Sequence, residues 1–180
     1  IDGQHGLVPH IYRGRLDNDM YMKIFWMIVG LDTAKMKMTS CKLKQDDSGK
    51  YISVSYNLVT RKVFIMARSV VEYRFDSEGR MTVTAKLRKI LPFTNQLPRF
   101  GVHGEFADSL KNVSYYGRGP LESYSDFKEH TTVGRYETTV DKMAHKYIKP
   151  QDSGNRTEVS YAELIDADGN GLRFNAKCRY

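Results

Sequence analysis

Tyr51-Ile-Ser-Val-Ser-Tyr-Asn-Leu58 puts Ile52, Val54, Tyr56 and Leu58 on one face of an extended chain and Ser53, Ser55 and Asn57 on the other. Successive side chains of a strand point to opposite faces, so this alternation lets one face pack while the other meets water. The pattern recurs downstream. Val71, Tyr73 and Phe75 oppose Glu72 and Arg74; Met81, Val83, Ala85 and Leu87 oppose Thr82, Thr84, Lys86 and Arg88. Between these two runs, Asp76-Ser-Glu-Gly-Arg80 reads as a hairpin loop. Asp46-Asp-Ser-Gly49 reads as another, and Asp166-Ala-Asp-Gly-Asn-Gly171 as a third, joining a strand over Glu158–Ile165 to one over Leu172–Tyr180.

Helical periodicity is scarce. Met20–Val29 fits a single helical turn or an irregular apolar loop, and Leu121–Lys128 fits a short helix after Pro120. The reading is all-β, an antiparallel β-sandwich. No Pro/Ser-rich linker divides the 180 residues and no internal repeat is visible, so residues 1–180 read as one β-sandwich domain. With 41% apolar residues the composition is globular. The start at Ile1 without Met, and the end at Arg179-Tyr180 inside a predicted strand, read as an excised piece of something longer.

A net charge of +7 raises the question of nucleic acid. Lys and Arg are scattered and alternate with Asp and Glu, with no polybasic run, so no nucleic-acid partner is expected. A basic segment is equally one face of an assembly whose other parts are acidic. Ile1-Asp-Gly-Gln-His5 shows no signal-peptide pattern, and Ile24-Phe-Trp-Met-Ile-Val-Gly-Leu31 is too short to span a bilayer, so no membrane partner is expected. Cys41 and Cys178 are read as free thiols. His5, His10, His103, His130 and His145 show no metal-ligand spacing, and no Gly-x-Ser-x-Gly nucleophile motif occurs.

Three polar segments stand out. In Arg13-x-x-x-Asp17-Asn-Asp19 the acidic pair suits a cation only weakly, because the glycine and terminal glutamate of a calcium loop are missing. The alternative is that Asp17 and Asp19 cap a turn and pair with Arg13 or Arg15. In Tyr115-Tyr-Gly-Arg-Gly-Pro-Leu-Glu-Ser-Tyr-Ser-Asp126, the residues Arg118, Glu122, Tyr124 and Asp126 either line a sugar cleft or satisfy one another and fix the loop. In Asn155-Arg-Thr-Glu158, Asn155 reads as a turn residue; Asn112-Val-Ser114 and Asn155-Arg-Thr157 are formally glycosylation sequons. Trp26, the only tryptophan, sits among apolar neighbours and reads as core or interface.

Leu97-Pro-Arg-Phe-Gly101, the Tyr-Gly-Arg-Gly-Pro-x-Glu-x-Tyr-x-Asp loop and Tyr147-Ile-Lys-Pro-Gln-Asp-Ser-Gly-Asn-Arg-Thr157 together resemble the C-terminal, galactose-mutarotase-like β-sandwich of bacterial glycoside hydrolase family 2 β-galactosidases. The Arg13–Asp19 segment adds to the likeness. By that resemblance Arg13, Asp17, Asn18 and Asp19 lie near the active-site cleft. The sequence departs from the family at Gly14-Arg15, where Ala-Pro is usual, and at Phe127, where Arg is frequent. The resemblance implies a parent enzyme that hydrolyses terminal non-reducing β-D-galactosides with retention. Retention needs two carboxyl groups about 5–5.5 Å apart, which the family places in a (β/α)8 barrel. No strand–helix alternation occurs here, so no catalytic residue is assigned; Glu122, Glu137, Glu158 and Glu163 qualify by residue type alone. Where some relatives lend a tryptophan to the cleft, near Asp168, this chain has no aromatic residue.

The resemblance further implies a cleft-wall and assembly role, with the remaining domains of the parent, a carbohydrate substrate and a homo-oligomer as partners. No cofactor is expected in this segment, and Mg or Na ions are left to the parent enzyme. Its compartment, bacterial cytoplasm or periplasm, stays open. A free-standing carbohydrate-binding module and an aldose-epimerase-like protein are the alternatives; the first needs an exposed aromatic platform, the second a converging His and Glu.

Overall fold

Alternation becomes pairing in the computed structural model, which describes residues 7–60, 65–90 and 97–177, with only the backbone of Lys89. His5, Cys178 and the two chain ends discussed above lie outside the described residues. In chain order the elements are β1 (Val8–His10), α1 (Met22–Ile28), β2 (Lys35–Asp46), β3 (Gly49–Val59), β4 (Ile65–Phe75), β5 (Met81–Lys89), β6 (Gly101–His103), β7 (Asn112–Gly119), β8 (Thr132–Thr139), α2 (Val140–Met143), β9 (Tyr161–Ile165) and β10 (Gly171–Asn175). Every ladder is antiparallel. The all-β reading holds. The chain divides into two compact units, one of Ile1–Arg13 and Asn18–Glu105, the other of Gly14–Asp17 and Phe106–Tyr180.

The first unit carries a four-stranded meander, β2-β3-β4-β5, and the short β1-β6 pair. Val54, Tyr56, Leu58 and Val71 are buried as their alternation requires. Met36, Tyr73, Val83 and Ala85 pack on Val54, Tyr56 and Val71. A second cluster joins Leu58, Met66 and Ala67 to Ile11, Trp26 and Leu31. Trp26 is therefore core, with Tyr12 edge-on to its ring at 6.4 Å. The ambiguous Met20–Val29 segment resolves as α1 followed by a 3-10 turn over Leu31–Thr33. The apolar face of the sheet is only partly covered, since Leu43, Ile52, Phe75 and Met81 remain exposed.

Strand β2 contains a bulge that its own residues demand. Lys35 and Lys37 lie opposite Val59 and Asn57, the register shifts between Met38 and Ser40, and Lys42 and Lys44 then lie opposite Ser53 and Tyr51. Thr39 is the extra residue, and its hydroxyl donates to the Ser55 carbonyl at 3.1 Å. With one residue inserted, Met36 and Met38 share the core-facing side with Cys41 and Leu43, and all four lysines point the other way. A regular strand would have sent one half of this set to the wrong face.

The predicted hairpin loops form, and an aspartate organises each. The Asp76 Oδ1 atom accepts the backbone N–H of Glu78 and of Arg80, both at 2.9 Å. Asp166 does the same for Asp168 and Asn170 at 2.9 Å, and Asp46 for Ser48 at 3.0 Å. These are Asx turns, in which a side chain imitates a backbone acceptor.

The second unit holds the sheet β10-β9-β7-β8. With a neighbour on each side, β7 carries the buried residues Val113, Ser114 and Tyr115. The strand expected over Glu158–Ile165 begins instead at Tyr161, because Glu158 has φ 55 and interrupts the extended chain. The short helix expected over Leu121–Lys128 does not form. Tyr124 and Phe127 exchange backbone hydrogen bonds at 2.9 and 3.0 Å, closing a two-residue turn, and the Ser123 N–H is taken by the Asn155 carbonyl at 2.8 Å. Donors engaged sideways in this way are lost to an i to i−4 ladder.

Candidate functional site

Two of the sequence blocks meet in the second unit. Residues 118–124 and 152–157 run against each other, joined largely through side chains. Ser123 is fully buried. Its hydroxyl accepts the Thr157 N–H at 2.9 Å and lies 2.8 Å from the Thr157 hydroxyl. Asn155 Nδ2 donates to the Ser123 carbonyl at 2.7 Å, so its amide ties this segment to the facing loop, where the sequence suggested a local turn. Gly154 stands at φ 84, a left-handed conformation that favours glycine, and donates its N–H to Glu122 Oε2 at 2.7 Å.

Arg156 is the hub. Its guanidinium donates to the Tyr115 hydroxyl at 3.0 Å and to the carbonyls of Pro120, Gly154 and Asn155 at 2.9, 3.2 and 3.1 Å. A planar fork with several fixed donors can join strand, turn and loop in one contact. Gly119 makes room beside it, since a Cβ there would collide with the Tyr115 hydroxyl and lie 2.7 Å from the Tyr136 ring.

Arg118, Glu122 and Tyr124 each take hydrogen-bond or ion-pair partners from the surrounding loops. Arg118 pairs with Glu158, Nε to Oε1 at 2.9 Å, and donates through Nη1 to the Thr131 carbonyl at 2.9 Å. The Nε contact is an ion pair whose N–H is misaligned for a hydrogen bond. The partner is thus Glu158, and neither Glu122 nor Asp126 plays that part. Lys128 joins the same carboxylate at 2.9 Å, and the two cations, Lys128 foremost, hold Glu158 below the usual carboxylate range. Buried Glu122 is bound to Gly154, while its carbonyl lies 2.9 Å from His130 Nε2. Tyr124 donates to Asp152 at 3.3 Å. Burial first, then the Asp152 and Glu122 charges, raise its phenol well above the ordinary value. Asp126 is exposed on the turn.

The Arg13–Asp19 motif serves two sets of contacts. In the first unit Arg13 forms a bidentate pair with Asp19, at 2.7 and 2.9 Å, and its guanidinium stands 5.9 Å from the Trp26 ring centre. Asn18 is exposed. In the second unit the Asp17 N–H donates to Gln151 Oε1 at 3.1 Å, and Lys149 lies 3.5 Å from its carboxylate. The Asp152 N–H reaches the Arg15 carbonyl at 3.3 Å. Asp19 therefore pairs with Arg13, as the turn reading anticipated, whereas Asp17 answers to Lys149. A Cβ on Gly14 would press on the Asp152 backbone at 3.1 Å, which accounts for glycine beside Arg15. The Asp17–Asp19 segment is a 3-10 turn. Among the described residues no three His, Cys, Asp or Glu side chains group as a metal site, and no helix is long and apolar enough to cross a membrane.

Sequence reading passed over Ser123, Gln151, Asp152 and Arg156 as site residues. Their only signal was membership of the two quoted blocks. The family model described as "Beta galactosidase small chain" matches residues 1–180. The chain belongs to the β-galactosidase small-chain family. It is 39% identical over 106 residues to a β-galactosidase of Streptococcus thermophilus, covering 59% of this chain and 10% of that protein. To the β-galactosidase of Lactobacillus delbrueckii subsp. bulgaricus it is 34% identical over 146 residues, 79% of this chain and 13% of that one. The β-galactosidase of Actinobacillus pleuropneumoniae is 28% identical over 160 residues, 88% of this chain and 16% of its own length. The small-chain match thus spans a small part of each relative.

Proposed function

We propose that this chain is the small-chain part of a β-galactosidase that hydrolyses terminal non-reducing β-D-galactosides, such as lactose, with retention. The observation that carries this reading is the family match along residues 1–180, in company with relatives named as β-galactosidases. The nucleophile and acid/base carboxyls belong to a barrel elsewhere in the parent polypeptide, as do any Mg or Na ions. This segment walls the substrate cleft and supports a homo-oligomeric assembly with the parent's other domains.

The geometry supports a wall built from rigid loops. Arg118, Glu122, Tyr124 and Arg156 engage protein groups, so they act as positioning residues. Asp17, beside Lys149 at 3.5 Å, and Asp126 are both exposed at the loop surface, and we read this exposure as what lets their carboxylates meet a sugar hydroxyl. Carboxylates are strong acceptors for hydroxyl donors, which suits orientation of a polyol without chemistry.

The test uses the full-length β-galactosidase that contains this segment. Asp17→Asn and Asp126→Asn should each raise KM for o-nitrophenyl β-galactoside about three- to tenfold with a smaller change in kcat. The first galactose released, followed by proton NMR, should be the β anomer. Unchanged KM in both variants would remove these residues from the cleft. An α anomer appearing first would overturn retention.

A further inference from the structure

We propose that the outward face of the β2–β5 sheet is a docking surface for an extended acidic polypeptide segment carrying a carboxylate at every second residue. The bulge at Thr39 is the first reason. It gathers Lys35, Lys37, Lys42 and Lys44 onto one face, although the first pair and the second pair stand in opposite frames of the sequence. Arg68 and Arg88 share that face, directly opposite each other across β4 and β5. All six are exposed, and no ion pair among the described residues engages them. The remaining cations of the face have acids already: Arg74 Nη1 donates to Asp46 at 2.9 Å and Lys86 lies 3.6 Å from Glu72.

Like charges facing each other across a ladder are destabilising, so the Arg68–Arg88 pair costs the isolated sheet something that a partner carboxylate would relieve. Shape agrees with charge. The central strand contributes small residues, Ser53, Ser55 and Asn57, between the long side chains of its neighbours. A depression of about 300 Å³ lies there, lined by Thr39, Ser55, Asn57, Arg68 and Val70 among others. Its lining mixes apolar surface with the small polar side chains of Ser55 and Asn57.

Period decides the form of the occupant. Alternate residues of a strand are about 6.8 Å apart, so Lys35/Lys37 and Lys42/Lys44 match carboxylates at every second position of an extended chain. The same face is a poor seat for a nucleic-acid strand. Among the described residues its one aromatic ring, Tyr51, is capped by the Arg74 guanidinium at 4.0 Å and is not an open platform for base stacking.

The experiment titrates the 180-residue chain, at low salt, with three fluorescein-labelled probes. The first is a peptide of strictly alternating glutamate and threonine, about a dozen residues long so that it spans the sheet. The second is its block isomer, with every glutamate placed before every threonine. The third is a thymidylate strand of equal charge. The alternating peptide should bind about fivefold more tightly than the block isomer, and binding should fade with added salt. Lys42→Glu/Lys44→Glu should weaken it about tenfold, and Lys142→Glu/Lys146→Glu, in the second unit, less than about twofold. Arg68→Gln, which keeps a polar side chain of similar reach, should also weaken binding, with Trp26 fluorescence unchanged as the check on folding. Equal binding of the two isomers, or equal loss in both double variants, would reduce the effect to diffuse charge and overturn the proposal. Tighter binding of thymidylate at this face would overturn it in favour of nucleic acid.

Discussion

Removing one hydroxyl, in Ser123→Ala, should open the interlock of residues 118–124 with 152–157. The side chain is fully buried and makes no contact with solvent. Its oxygen accepts the Thr157 N–H at 2.9 Å and is the 2.8 Å partner of the Thr157 hydroxyl. Alanine leaves that buried N–H without an acceptor, at a cost of about 1–3 kcal/mol, and the lost hydroxyl pair adds up to about 1 kcal/mol more. A local destabilisation of about 2 kcal/mol corresponds to roughly thirtyfold in an opening equilibrium. The readout is hydrogen exchange at the amides of Thr157 and of Arg118, whose N–H bonds the Thr157 carbonyl at 2.9 Å. Ser114→Ala is the matched control. Ser114 is also buried, but its hydroxyl has no partner among the described residues. Losing an unpaired buried hydroxyl should be neutral or stabilising by up to about 1 kcal/mol. If both variants accelerated exchange equally, the serine hydroxyl would not be what joins the two segments, and the reasoning would fail.

Three further outcomes are expected. Gly119→Ala sets a methyl against the Tyr115 hydroxyl and 2.7 Å from the Tyr136 ring and should cost about 1–3 kcal/mol, while Gly134→Ala, which meets Tyr136 alone at 3.4–3.5 Å, should stay within about 0.5 kcal/mol by urea unfolding of the β7–β8 pair. Glu158 has a folded pKa below its free value, so its contribution is complete above about pH 4.5 and is lost as the pH falls through the lowered value; NMR shifts of the Arg118 and Lys128 side chains should move together in that window, and stay fixed there in Glu158→Gln. Deleting Thr39 should turn Met36 out of the core and cost unit stability about 1.5–3 kcal/mol or more, seen as loss of native Trp26 fluorescence.

Where local chemistry decided the structure, the sequence was readable. Asp76, Asp166 and Asp46 built the turns their neighbourhoods announced, and β3 through β5 followed their alternation. Strand β2 was hidden because its two halves are written in different frames, and only a bulge reconciles them. The segment α1 was ambiguous because Ile24, Met27 and Ile28 are apolar yet exposed, which blurs a helical stripe. Residues 121–128 carried a plausible helix start, but the competing donors and acceptors come from 155–157, which no local pattern reveals. The site shows the same divide. Motif blocks marked the right loops, whereas the partners of Arg118 and Asp17, namely Glu158 and Lys149, were set by tertiary contact.

We propose that this chain supplies a supporting part of a β-galactosidase. The most direct test is hydrolysis of o-nitrophenyl β-galactoside by a β-galactosidase from which this segment has been deleted, before and after adding the 180-residue chain. No turnover is expected from either piece alone, and turnover is expected on mixing, lost again when Ser123→Ala and Arg156→Ala are combined in the added chain. Turnover by the deleted enzyme at the intact rate, or by this chain alone, would contradict it.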